Sequence, residues 1–232
     1  MLVILPFEKE YFKNKWNWQV EYVGHPLVEV VERKKSEVGS RKSESKVVAL
    51  LPGSRRQEIL KKLPVMLNVS KQFPEYKFIV AKAPGVEDNF YDELLKPYIN
   101  ITSVSAKTYD LLLEAKAALV TSGTATLETA LFGVPEVVCY KGSFLSYQIG
   151  KRLVKVKYIS LVNLIMDKLV VKELIQDKLT TENLSRELTL LLKDETKIAE
   201  IKKDFSELKR ILSERGNASA KAAASIYNYL AG

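Results

Sequence analysis

Histidine and cysteine are nearly absent from this chain: its 232 residues include one of each, His25 and Cys139. A disulfide framework needs thiols in pairs, and a thiolate or imidazole metal centre needs several ligands, so both are excluded as organising devices. Cys139 sits in the apolar run VPEVVCY and reads as a buried strand thiol, which fits a reducing compartment. Long apolar runs are lacking too, none reaching the roughly 18 residues that span a bilayer. The opening residues, MLVILPFEKEYF, have neither the basic start nor the small-residue cleavage site of a signal peptide. A cytoplasmic protein is expected. Neither the P-loop pattern nor the Rossmann glycine fingerprint occurs, which removes support for ATP hydrolysis and for NAD chemistry. There is no internal repeat, heptad array or low-complexity tract.

What is present is a large apolar fraction, 47%, enough for a sizeable core, and a basic balance: 36 Lys and Arg against 28 Asp and Glu, a formal charge of +8. The positive charge favours anionic partners, whether nucleotides, nucleic acid or an acidic membrane surface, without choosing among them. The Lys and Arg are spread along helical patterns with no aromatic stacking platform, which argues against nucleic acid.

Along the chain, MLVIL reads as a strand, EKEYFKNKW as a short amphipathic helix and Val20 to Val23 as a second strand, before Gly24-His25-Pro26 breaks the pattern. Residues 33–46, RKKSEVGSRKSESK, are almost devoid of apolar side chains and read as a linker or exposed loop. From Val47 onward strands alternate with helices: VVALL, a helix over 56–71, YKFIVA, a helix over 90–97, a strand over 99–104, then YDLLLEA, AALV, TLETALF and EVVCY. That alternation predicts an α/β fold with a parallel sheet covered on both faces. After Gly142 the pattern turns helical, and the amphipathic segments 181–193, 197–215 and 218–230 form a helical carboxyl terminus.

Two strand-to-helix junctions carry the chemistry. In Ser122-Gly123-Thr124-Ala125-Thr126-Leu127-Glu128, the glycine allows close backbone approach, the first helical N–H groups face an anion, and Ser122, Thr124 and Thr126 add hydroxyl donors. Glu128 falls one turn inside the helix, suited to the two hydroxyls of a ribose rather than to phosphate. A capped helix, with Ser122 or Thr124 as N-cap and Glu128 favoured by the dipole, explains the same residues, and the local pattern leaves both readings open. The second junction, Pro52-Gly53-Ser54-Arg55-Arg56, offers a guanidinium fork matched to phosphate oxygens, although a solvated helix start explains Arg55 and Arg56 equally. Two such loops at the carboxyl ends of strands of one sheet face a common crevice.

A third region, 142–166, interleaves Lys151, Arg152, Lys155 and Lys157 with apolar and aromatic residues, a face suited either to anionic lipid headgroups or to packing on the sheet with its lysines in water. Asn163 is a polar residue in the apolar run SLVNLI, so it is expected to be hydrogen-bonded or functional. His25 reads as a turn histidine or a catalytic base.

The succession ILPFEKEYF, YVGHPL, LLPGSRRQEI, TSGTATLETALFGVPEVVCYK, KRLVKVKYISLVNLI and VKELIQ closely resembles the bacterial lipid-A-disaccharide synthases, glycosyltransferases of the GT-B fold. The resemblance implies a Rossmann-like parallel sheet and transfer, with inversion and no obligatory metal or cofactor, of 2,3-diacylglucosamine from UDP-2,3-diacylglucosamine to 2,3-diacylglucosamine 1-phosphate, lipid X. It places Gly53, Ser54 and Arg55 on the donor diphosphate, Ser122, Gly123, Thr124 and Thr126 on a second phosphate loop, and Glu128 on the ribose. Asn163 then falls on an asparagine associated with activity, and His25 on the interdomain cleft. Lys151, Arg152, Lys155 and Lys157 become contacts to the anionic inner-membrane surface, with the protein peripheral on its cytoplasmic face.

The resemblance also implies an amino-terminal domain with the general base, and this sequence is expected to be a fragment without it. The expected organisation is a remnant of that acceptor domain and the hinge over 1–32, a linker over 33–46, the UDP-sugar-binding domain over 47–180 and terminal helices over 181–232. With the acceptor half missing, little turnover and either an exposed apolar patch or homodimerisation are expected. A UDP-sugar 2-epimerase-like enzyme and a non-catalytic UDP-binding module are the alternatives.

Overall fold

The computed structural model describes residues 1–38, 45–142, 157–214 and 216–231. A small parallel pair, β1 (Leu2–Val3) and β2 (Glu21–Tyr22), is bridged by helix α1 (Glu8–Trp16) and leads into α2 (Leu27–Val38). The main body then runs β3 (Val47–Leu51), α3 (Arg56–Val69), β4 (Lys77–Lys82), α4 (Asp88–Leu95), β5 (Ile101–Ser105), α5 (Thr108–Glu114), β6 (Ala117–Thr121), α6 (Thr124–Leu131) and β7 (Glu136–Tyr140). It finishes with α7 (Leu161–Met166), β8 (Lys172–Ile175), α8 (Thr181–Lys193), α9 (Glu195–Ser213) and α10 (Ala218–Ala231).

Strands β3 to β8 form one parallel sheet in the order β5-β4-β3-β6-β7-β8. The chain walks outward from β3 through β4 to β5, then returns to β6 on the other side of β3 and walks the opposite way. Right-handed crossovers in opposite directions put their helices on opposite faces, which is why the sheet is covered on both. The central strands VVALL and AALVT are correspondingly apolar on both faces, with Val48, Ala49, Leu50, Ala118, Leu119 and Val120 fully buried. Helix α3 buries Ile59, Leu63, Met66 and Leu67 and packs against α8, whereas α6 buries Leu127, Ala130 and Leu131 and meets α2, α7 and α9.

Three expectations are corrected. Helix α2 continues to Val38, so residues 33–38 are helical rather than part of a linker. The same helix passes unbroken through residue 32 and buries Val31 in the main core, while Lys35 donates to the Leu131 carbonyl at 2.7 Å. The region after Gly142 is not purely helical among the described residues: KELI adds a sixth strand, β8, too short to register as a pattern and paired on one side only, to β7.

Helix α10 buries only Ala218 and leaves Ile226, Tyr227, Tyr229 and Leu230 exposed. Trp16, the last residue of α1, and Trp18 just beyond it are exposed as well.

Candidate functional site

The point where the strand order reverses lies between β3 and β6, and both glycine loops open there. In such sheets the two connections diverge to opposite faces and leave a crevice at the carboxyl edge. That crevice has a volume of about 800 Å³ and is lined by Gly53, Ser54 and Arg55 from one loop and Ser122, Gly123 and Thr124 from the other. Gly53 adopts φ +112° and Gly123 φ +149°, backbone conformations that side chains disfavour. At Gly53 space is also short, since an added methyl would lie 3.3 Å from Thr121 Cγ2 and 3.5 Å from Lys62 Nζ.

The N-cap positions of α3 and α6 are Arg55 and Gly123, and at neither does a side chain accept from the helix. Two first turns therefore present free N–H groups to one crevice, together with the positive ends of two helix dipoles. A capped helix would have spent those donors on Ser122 or Thr124. Arg55, Lys61, Lys62, Lys82 and Lys141 line the crevice against two carboxylates, Glu58 and Glu128. The arrangement attracts an anion with more than one charge.

Hydroxyl groups divide by use. Thr124 is exposed and faces the crevice. Ser122 donates to the Ile159 carbonyl at 2.8 Å, and Thr126, fully buried, donates to the Gly123 carbonyl at 2.8 Å, so neither hydroxyl proton is offered to a ligand and Thr126 does not line the crevice. Both side chains instead fix the conformation of the loop. Glu128 stands at the far wall and accepts a 3.0 Å hydrogen bond from the Tyr109 hydroxyl. Burial and the adjacent carboxylate push the Tyr109 phenol up to about 12, so it stays protonated and keeps donating. This partner fixes carboxylate oxygen Oε1.

Arg55 is 81% exposed at its side chain and pairs with Glu58 at 3.0 Å. Behind it lies a residue that sequence reading passed over. Lys62, in a helix whose neighbouring positions are charged, looks like a solvent-facing lysine, yet only 3% of it is exposed. Its ammonium reaches back under the Gly53 loop to donate to Thr121 Oγ1 and lies 3.6 Å from Glu58 Oε2. Burial lowers its pKa, against the opposing pull of Glu58.

Asn163 is away from the crevice lining and fully buried. Its amide donates to the Val171 carbonyl at 2.8 Å and to Glu173 Oε1 at 2.9 Å, while its oxygen accepts from the N–H groups of Val170 at 2.9 Å and Val171 at 3.0 Å. Its hydrogen-bonding capacity is spent inside the protein. Glu173 in turn accepts from the N–H groups of Ile159 and Ser160 and from the Ser160 hydroxyl. Since the Ile159 carbonyl takes the Ser122 hydroxyl, Asn163 is connected to the Ser122–Gly123 loop through Glu173 and residue 159.

His25 is buried outside the crevice, where Nδ1 accepts from the Leu27 N–H at 3.2 Å and starts α2. Burial lowers its pKa despite Glu8, which favours the neutral ring that this bond requires. Of the basic segment, Lys151, Arg152 and Lys155 lie outside the described residues. Lys157 is described, exposed, and paired with Asp167 at 3.3 Å.

Residues 1–227 match the lipid-A-disaccharide synthetase family. The chain belongs to that family. Relatives named lipid-A-disaccharide synthase include one from Syntrophus aciditrophicus, 37% identical over 235 residues, and one from Aquifex aeolicus, 36% identical over 216. The alignments cover 96% and 93% of this chain but 61% and 59% of those relatives, so the chain spans about three-fifths of their length. Among solved structures, a UDP-GlcNAc 2-epimerase from Neisseria meningitidis bound to UDP-GlcNAc superposes with TM-score 0.61 at 14% identity, covering 90% of this chain and 56% of that one. WaaG, a glycosyltransferase involved in lipopolysaccharide biosynthesis, superposes with TM-score 0.53 at 12% identity, covering 96% and 60%. These structures establish the GT-B architecture, and the family match separates this chain from the epimerases that share it.

Proposed function

We propose that this chain carries the donor-binding part of a lipid-A-disaccharide synthase. The donor is UDP-2,3-diacylglucosamine, the acceptor is lipid X, and the products are the β-1,6-linked disaccharide 1-phosphate and UDP. The observation that carries this reading is the pair of uncapped helix N-termini meeting at the switch point, with Glu128 one helical turn beyond. The diphosphate lies across the two loops, the N–H groups of α3 and α6 take its oxygens, and Arg55 turns from Glu58 to complete the cradle. As the glycosidic bond breaks, charge accumulates on the leaving diphosphate. Fixed dipoles, with the guanidinium already brought over on binding, stabilise that charge without a metal.

An inverting transfer also needs a base to deprotonate the acceptor hydroxyl in line with the departing UDP. Both carboxylates lining the crevice already serve other partners, Glu58 the two cations and Glu128 Tyr109, so the base is assigned to a group beyond them. The basic residues Lys151, Arg152, Lys155 and Lys157 are assigned to the anionic inner-membrane face, and the exposed aromatic residues Trp16, Trp18, Tyr227 and Tyr229 to a second copy of the chain. No described helix is long and apolar enough to cross a membrane.

Calorimetric titration tests the reading. The 232-residue chain is expected to bind UDP saturably in preference to ATP or a short oligonucleotide, to lose on the order of tenfold or more in affinity as Arg55→Ala or Glu128→Ala, and to form little or no disaccharide alone. Unchanged UDP affinity in both variants refutes the assignment.

A further inference from the structure

Glu58 has one carboxylate oxygen on each of two cations. Oε1 lies 3.0 Å from Arg55 Nη1, at the exposed mouth of the crevice, and Oε2 lies 3.6 Å from Lys62 Nζ, at its buried floor. The two pairs are not equivalent. An exposed pair such as Arg55 with Glu58 is easily exchanged. Lys62 is committed: 4% of its side chain is exposed, its ammonium is anchored on Thr121 Oγ1, and the Gly53 backbone lies over it. An ammonium has three protons, and this one faces the same crevice as the guanidinium. A carboxylate directly below a phosphate loop is otherwise a liability, since it repels the ligand.

We infer that Glu58 is a built-in stand-in for the ligand phosphate, and that Lys62 is the positioning residue that keeps Glu58 neutralised once Arg55 leaves it for the ligand. In the empty crevice the carboxylate holds the guanidinium at the loop, ready for a second anion. When the diphosphate arrives, Arg55 exchanges one carboxylate oxygen for a phosphate oxygen, and the charge left on Glu58 is met from below by Lys62. The inference rests on the diphosphate reading of the crevice and adds to it a second cation and a competing internal anion.

The consequences differ in sign, which makes them separable. Lys62→Met leaves the Glu58 charge uncompensated beside the ligand and is expected to weaken UDP binding on the order of tenfold. Glu58→Gln removes the competitor and is expected to tighten UDP binding about threefold. The double variant is expected to recover most of the loss caused by Lys62→Met, and uridine, which has no phosphate, is expected to bind all four proteins alike. Calorimetry at fixed ionic strength reads the affinities, and thermal unfolding reports whether each variant is folded. Glu58 is partly exposed, so Glu58→Gln keeps the test alive should Lys62→Met fail to fold.

Lys62→Met within twofold of the parent, Glu58→Gln weaker than the parent, or a double variant no better than Lys62→Met each overturn the inference while leaving the donor site standing. If the parent binds neither UDP nor pyrophosphate, both the inference and the donor assignment fall.

Discussion

Glu136 opens β7 with its side chain fully buried and, among the described residues, no hydrogen-bond partner on either carboxylate oxygen. Burial pushes its carboxyl well above the usual carboxylate range. The folded chain therefore keeps a proton that the unfolded chain releases. With the folded pKa raised, stability is fully present below the unfolded value of about 4.3 and is lost as pH rises, until the folded value is passed. Between the unfolded and the folded values, one proton gives a slope approaching about 1.4 kcal/mol per pH unit. Each such unit counts against the roughly 5–15 kcal/mol by which domains are stable.

Glu136→Met fills the same space without a titrating group. It should gain about 1–3 kcal/mol at pH 5, where the parent still buries an unpaired polar group, and progressively more at higher pH. Glu136→Gln should lose the pH dependence while keeping most of that polar cost. Urea unfolding of parent and both variants at pH 5, 6 and 7 measures this, because the difference between proteins cancels every other titrating group. Glu136 pairs with Ala118 at the end of the strands remote from the crevice, so UDP affinity should stay constant. Parent and Glu136→Met stabilities that run parallel from pH 5 to pH 7 would refute the assignment of a buried, protonated carboxyl.

Asn163→Ala strips partners from two buried N–H groups and the Val171 carbonyl, and should cost about 3 kcal/mol in urea unfolding; a loss under about 1 kcal/mol contradicts the bonding described. Tyr109→Phe frees Glu128 from its anchor and should weaken UDP binding a few-fold and remove phenolate absorbance from the alkaline end of the ultraviolet titration, since the Tyr109 phenol is pushed up to about 12; absorbance lost near pH 10 instead, where free phenols ionise, contradicts the bond described.

The crevice was legible in the sequence because its determinants are local. Gly53 and Gly123 each follow a short apolar run and precede a helical pattern, and a parallel sheet brings such junctions to one edge. What each hydroxyl and charge does there was not legible, because it depends on contacts distant in sequence. Ser122 and Thr126 look like ligand donors until Ile159 and the Gly123 carbonyl claim them. Lys62, on helix α3, looks solvated because its partner, Thr121, lies on β6, far away in sequence. Asn163 announced itself as a polar residue in an apolar run, yet its link to the crevice passes through β8, a strand of four residues with no periodicity to read. Helix α2 was hidden for a different reason: beyond Val31 its buried contacts are few and its surface is basic, a composition shared with linkers.

The reversal of strand order has a consequence for assembly. Strand β3 ends at Leu51 and β6 begins at Ala117, so the two halves of the anion cradle are made far apart along the chain and meet only when β6 docks beside β3. A nascent chain lacking β6 has one loop and no cradle. Ligand capture is thereby tied to completion of the sheet, and any nucleotide that binds there stabilises the finished topology and none of its precursors.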